Sequence, residues 1–359
     1  MTKLVRANPL FALLALLCAL ATLAFCPHLA ARTLSTPDPG ASGYHVLKIY
    51  DLGGSGGWDY ITLDAPSRRL FIARSSRVMV VDEDSGRLLG EVENTPGVHG
   101  VALAPDLGRG FTSNGMAGTI TIFDMSTLKE IATVEAGKDP DAIVYDPATK
   151  RVFAMNGNSH DVTVLDAPSG RVLATLTLPG RPEFAVADGA GHLYVNIVDK
   201  NEQAQIDSQN LAVTSHWSIA PCEAPTGLAM DIAHHRLFAT CSNVMLAVVN
   251  ADTHAVVSTQ AIGEGPDAAR FDPDSNFIFS SNGHDGSLTV IHEDTPDNYT
   301  VVENVPTQVN SRTMALDPRT HDVYLVTAAF TPPPLPTEDD PHPARVMVPG
   351  SFVLLVVGR

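Results

Sequence analysis

The sequence predicts an all-β chain folded as a seven-bladed β-propeller, with the N-terminal strand completing the last blade. Three observations predict it. A unit of roughly 42 residues recurs seven times, each unit holds the same four short strands, and one strand is left over at the front where the last unit lacks one.

The recurrence is seen most easily by aligning Leu63-Asp64-Ala65-Pro66-Ser67-Arg68-Arg69-Leu70-Phe71 with Tyr145-Asp146-Pro147-Ala148-Thr149-Lys150-Arg151-Val152-Phe153. The same frame returns around Phe111, Tyr194, Phe238, Phe279 and Tyr324, so the seven aromatic anchors stand 40 to 45 residues apart. Within a unit, an apolar run ends in Asp-Pro or a relative, as in Ala142 to Pro147. A short turn leads to a second run such as Arg151–Asn156. A loop carrying Asn-Gly leads to an alternating run such as Val162–Asp166, and a Ser-Gly-Arg turn opens the last run, Val172–Leu178. Four alternating runs separated by turn residues read as strands A to D. Asp82, Asp124, Asp166 and Asp207 end the strands C, where their side chains are expected to cap the amides of the next turn.

One four-stranded unit cannot bury both of its faces alone. Stacking seven of them around an axis buries each against its neighbours. The last unit supplies strands near Met314–Asp317, Asp322–Val326 and Phe352–Val357 and then stops at Arg359 without a strand D. The segment Tyr44–Tyr50 has no unit of its own and matches that slot. The two chain ends are therefore expected to share a sheet, which removes an open edge.

The remaining organisation follows from composition. Residues 1–31 read as a signal peptide: Lys3 and Arg6 precede an apolar run of 16 residues, Leu10 to Phe25, with Ala30 and Ala31 at the cleavage position. An uncleaved anchor is the alternative, although a bilayer span needs roughly 20 residues. Residues 32–43 form a short linker and 44–359 the propeller. The mature chain is thus expected to be periplasmic or secreted and to lack a membrane span. The formal charge of −17 falls by two, to −19, once Lys3 and Arg6 are removed. Such a charge argues against nucleic acid as a partner. Cleavage after Ala31 leaves only Cys222 and Cys241. These bracket strands A and B of blade 5 and are expected to form a disulfide, two buried thiols being the alternative.

The repeats resemble the YVTN β-propeller repeats of the YncE-like family. A family repeat reads roughly as apolar-Asp-Pro, Arg-Leu-Tyr-Val-Ala-Asn, Thr-Val-Ser-Val-Ile-Asp, Thr-Gly-Lys-Val. Arg151–Asn156, Val162–Asp166, Ser169–Val172, Phe111–Asn114, Thr119–Asp124 and Phe279–Asn282 match this pattern. The resemblance runs over about residues 44–359 and departs from the pattern at Asn196–Asp207 of blade 4 and in blade 7. It implies the fold and leaves the activity open, because propellers host many unrelated functions.

Loops before strand A and between strands B and C should open on one face. Counting five residues back from the end of each strand A gives Asp59, His99, Asp141, Pro182, Thr226, Asp267 and Arg312, a polar collar at the mouth of the channel. Counting ten forward gives Arg74, Asn114, Asn156, Ile197, Cys241, Asn282 and Thr327 on the same face. Asp59, His99, Asp141, Asp267, Arg312, Arg74, Asn114, Asn156 and Asn282 are the ligand-binding candidates. The Asn-Gly pairs also serve as turn formers. Blade 7 carries an extra Pro-rich insertion, 331–350, which fits a lid over the collar, a mobile loop or a pairing surface. His234 and His235 fall on an A–B turn of the other face and read as surface residues. The sequence shows no cofactor motif, no Gly-x-Ser-x-Gly elbow, no Cys-x-x-Cys and no His-Glu-x-x-His. The first expectation is an exported, non-enzymatic scaffold of the cell envelope that binds a small polar ligand or an envelope protein. The alternative is a lactonase-type hydrolase with a metal held by Asp59, Asp141, Asp267 and His99.

Overall fold

Seven antiparallel four-stranded sheets form the ring, each with its strands in the order A-B-C-D. The computed structural model describes residues 41–332 and 345–359; the expected signal segment and most of the linker lie outside them. Among the described residues the regular structure is β throughout, apart from single 3-10 turns at Ala65–Ser67 and Pro105–Leu107. No helix among them is long and apolar enough to cross a membrane.

Burial grades outward across each blade. In blade 3, strand B (Arg151–Asn156) is buried from Val152 onward and strand C (Asp161–Asp166) from Val162 to Leu165. Strand D (Arg171–Thr177) is mostly exposed or partly buried. Strands B and C are sandwiched between two neighbouring blades, which is why their apolar runs are nearly continuous instead of alternating. The anchors Phe71, Phe111, Phe153, Phe238 and Phe279 are fully buried in the seams. Gly227 marks how closely the inner strands meet: a Cβ there would lie 2.6 Å from the backbone of Ala268 in the next blade.

The Asp residues that end strands C cap their turns as expected. Asp82 accepts from the Ser85 amide, Asp124 from Ser126 and Thr127, Asp166 from Ser169, and Asp207 from Gln209 and Asn210. These bonds fix the C–D turns by satisfying amides that the sheet leaves free.

Closure is made by the chain ends. His45–Asp51 pairs antiparallel with Val353–Gly358, from His45 opposite Gly358 to Asp51 opposite Val353, and so becomes strand D of blade 7. Tyr44 anchors this strand. It is 1 % exposed, packs edge-on against Phe279 and donates its hydroxyl to the carbonyl of His321. Blade 7 is tied to blade 1 by Thr313, which donates to the Asp59 carbonyl (2.7 Å), and by Tyr324, which donates to Glu83 (2.6 Å).

Blade 5 carries a disulfide between Cys222 and Cys241, whose Cα atoms are 5.4 Å apart. It joins the loop before strand A to the end of strand B, across the pairing of Pro225 with Cys241.

Deleting residues 41–51 should lower stability by several kcal/mol and Tyr44→Ala by about 3 kcal/mol, read by chemical denaturation; an unchanged midpoint in both would rule out the closure. Non-reducing mass spectrometry should recover Cys222 linked to Cys241. The double Ser variant should lose about 2–4 kcal/mol; free thiols in the native protein would remove the cross-link.

Candidate functional site

Each strand A begins at the mouth and runs down the channel wall. Its first residue in blades 2 to 6 pairs with the end of strand B: Val98 with Asn114, Pro140 with Asn156, Pro182 with Ile197, Pro225 with Cys241 and Pro266 with Asn282. The next residue in each blade is therefore equivalent: His99, Asp141, Glu183, Thr226 and Asp267. Asp59 and Arg312 hold the corresponding places in blades 1 and 7.

This register corrects the collar in blade 4. Pro182 is not its member; Glu183 is. Strand A of blade 4 spans six residues, Pro182–Ala187, where blades 2, 3, 5 and 6 have seven, so counting back from its end lands one residue early. The collar consequently has four carboxylates, one His, one Arg and one Thr.

The groups converge. His99 Nδ1 lies 2.6 Å from Asp59 Oδ2 and 3.8 Å from Asp141 Oδ1, and its Nε2 lies 3.7 Å from Asp139 Oδ1. Arg312 bridges Asp267 (2.8 Å) and Asp59 (3.4 Å) and also donates to the Trp58 carbonyl. Asp59, His99 and Asp141 each offer a ligand atom within 4.8 Å of the others, whereas Asp267 is engaged by Arg312 outside that triplet.

Directly below, aromatic side chains reach across the channel. Tyr60 of blade 1 meets Phe184 of blade 4 edge-to-face at 5.2 Å, and the Arg270 guanidinium of blade 6 lies 5.2 Å from the Phe184 ring centre. A cavity of about 230 Å³ lies along Tyr60, Phe184, Arg270 and the strands A of blades 1 to 3. The mouth is thus a polar cup on an aromatic floor. The floor residues directly follow collar residues in the chain, Tyr60 after Asp59 and Phe184 after Glu183.

The cup holds protons tightly. Burial, and then the neighbouring Asp141 and Asp267, push Glu183 up to about 8. Burial and then Asp59 push Asp141 up to about 6. Burial also raises Asp267. The hydrogen bond to Asp59 holds the His99 imidazolium up to about 9. Near neutrality Glu183 is therefore mostly protonated and His99 mostly charged.

The second ring of candidates serves the blades. Arg74 is fully buried, donates to the carbonyls of Ser55 and Gly56 (both 3.0 Å) and stacks 3.5 Å over Phe352. It fixes the loop that delivers Asp59. Asn114 is buried and donates to Thr119 and Thr121; Asn156 donates to Asp161 and Thr163; Asn282 donates to Ser287 and Thr289. All three tie strand B to strand C through the same two bonds, to the residues five and seven positions on, and all three are fully buried.

At the root of the blade 7 insertion, Phe330 forms a bridge with Met347, and Phe330 packs on Trp58 next to the collar. Residues 333–344, which hold most of the insertion and the expected lid, lie outside the described residues.

The chain is a seven-bladed β-propeller with an acidic, floored mouth. No protein-family model matches it, and no curated protein does. Solved structures share its fold. Hydrazine synthase of Kuenenia stuttgartiensis superimposes with a TM-score of 0.68 at 15 % identity, over 75 % of this chain and 92 % of that one. The U3-55K structure gives 0.71 at 10 % identity, over 88 % and 99 %. A chain of the mitotic checkpoint complex gives 0.71 at 14 % identity, over 88 % and 91 %. At these identities the likeness is one of fold alone.

The sign of the pH dependence follows from the raised groups. Asp141, Glu183 and His99 all bind protons more tightly when folded, so each loses stabilisation as pH rises, the carboxyls toward about 6 and 8 and His99 through about 9. Glu183→Gln should melt with the wild type at pH 4 and roughly 2–6 °C higher at pH 9. Melting curves that stay parallel across that range would contradict the placement of Glu183.

Proposed function

We propose that this chain is an exported, non-enzymatic binding propeller of the cell envelope, of the YncE-like kind, whose mouth holds a small polar ligand through a cationic group. The observation that carries this reading is the cup itself. Asp59, Asp141, Glu183 and Asp267 are drawn to one radius above Tyr60 and Phe184, with carboxylates in excess of His99 and Arg312. An amine or guanidine would meet carboxylates at its charged end and an aromatic face at its apolar end. The N-terminal signal pattern and the Cys222–Cys241 bond both suit an oxidising compartment.

Catalysis has little to work with in this cup. Both ring nitrogens of His99 face carboxylates, and among the described residues no hydroxyl or thiol hydrogen-bonds to it, so no nucleophile is paired with a base. One observation favours the second reading, a metal-dependent hydrolase of the lactonase type: the triplet Asp59, His99 and Asp141 has donor spacing that suits a divalent ion.

Calorimetry separates the two. Putrescine, choline and arginine serve as cationic probes, alongside metal analysis and a panel of lactones. The binding reading expects at least one probe to bind, more tightly as pH rises through about 8 and Glu183 ionises, and at least about tenfold more weakly in Asp141→Asn. Stoichiometric metal and lactone turnover, both lost in Asp59→Asn, with no probe bound, would establish the hydrolase instead.

A further inference from the structure

The face opposite the mouth carries a second cluster, built by a position that recurs in three seams. The residue one past the strand C partner of the start of strand B comes beside the Asp that ends strand A of the preceding blade. In the seam of blades 3 and 4 this residue is Ser208, which donates to Asp146 at 2.6 Å. In two seams it is a glutamate, so that two carboxylates meet.

The seam of blades 7 and 1 neutralises its pair. Glu83 and Asp317 are both fully buried as side chains, and two guanidiniums reach them: Arg68 at 3.3 Å from Glu83, and Arg319 at 3.2 Å from Asp317. Tyr324 adds a hydrogen bond to Glu83.

The seam of blades 5 and 6 lacks this arrangement. Asp231 is 3 % and Glu293 4 % exposed. The nearby Arg236 is directed elsewhere, to the carbonyls of His234 and Pro296 and to Asp297. His292 is paired with Asp294. Neither oxygen of Glu293 has a hydrogen-bond partner among the described residues. Among the described residues only His234 pairs with both carboxylates, with Nδ1 2.5 Å from Asp231 Oδ2 and 3.8 Å from Glu293 Oε1. A carboxylate buried this deeply is costly without a counter-charge or a donor.

We propose that Asp231, His234 and Glu293 form a binding site for a zinc-type divalent cation that braces blades 5 and 6. One donor atom from each lies within 4.8 Å of the others, so a small adjustment of the half-exposed His234 ring brings them around one ion. The donor set, one imidazole nitrogen and two carboxylate oxygens, suits zinc and its transition-metal neighbours better than calcium, which takes six to eight oxygens. The exposed side of His234 leaves an approach from solvent. Two carboxylates and a neutral imidazole balance the ion's charge, the imidazole binding through Nδ1 with its ring proton on Nε2.

The test uses the full chain, stripped with chelator and titrated with Zn²⁺ at pH 7.5, with Ca²⁺ as the comparison ion. The mouth triplet is removed from the readout by repeating the titration in His99→Gln. One equivalent of Zn²⁺ should bind in both backgrounds and raise the melting temperature, with Ca²⁺ much weaker. His234→Ala, a change at a half-exposed side chain, and Glu293→Gln, which removes a buried charge, should each weaken Zn²⁺ at least about tenfold. The site is refuted by wild-type protein that binds no zinc, by unchanged affinity in both seam variants, or by binding that vanishes in His99→Gln.

Discussion

The pairing of His45–Asp51 with Val353–Gly358 holds this molecule together. A four-stranded blade presents two apolar faces and can cover neither by itself, so every blade depends on two neighbours. In a row, the end blades would each expose one face. In a ring none does, but the ring must be locked by something other than the chain running from one blade to the next. Residues about 310 positions apart supply the lock as one antiparallel ladder, seated by the buried Tyr44. Thr313 and Arg312 reach Asp59 and Trp58 across the same junction, so closure and collar are made by the same contacts.

Once the ring is closed, the mouth follows from register. In blades 2 to 6 strand A starts in the same register, and the residue after each first pair joins the collar; Asp59 and Arg312 precede the shorter strands A of blades 1 and 7. No blade has a site of its own. Asp59, His99, Asp141, Glu183 and Asp267 are brought together from five blades, and their proximity makes the cup hold protons. The floor arises the same way, since Tyr60 and Phe184 come from blades on opposite sides of the axis. The seam cluster on the far face obeys the same logic with only two blades involved.

Much of this was legible in the residues. The period of the aromatic anchors and the capping Asp at the end of four strands C marked the blades, and the surplus strand Tyr44–Tyr50 marked the closure. The collar was legible in six blades and was displaced in blade 4, where the count began at Ala187, one residue short of the turn-capping Asp188, and Pro182 stood in for Glu183. Asn114, Asn156 and Asn282 were placed on the correct end of strand B. Whether an Asn at a strand end faces a ligand or a neighbouring Thr depends on side-chain direction, which a spacing does not encode. The Tyr60–Phe184 floor and the Glu293 seam join residues 124 and 62 positions apart respectively, the latter counted from Asp231, and nothing in either segment alone marks its partner. His234 read as a surface residue for the same reason: its exposed edge is ordinary, and the carboxylates beneath it come from two blades.

Hydrogen exchange followed by mass spectrometry tests the shared sheet most directly, because it reports the first strand separately from the rest of the ring. Peptides covering His45–Asp51 should exchange as slowly as the peptide of Val353–Gly358, through opening of the whole ring. Exchange of His45–Asp51 within seconds, with Val353–Gly358 and the inner strands still protected, would show a ring that closes without its leading strand.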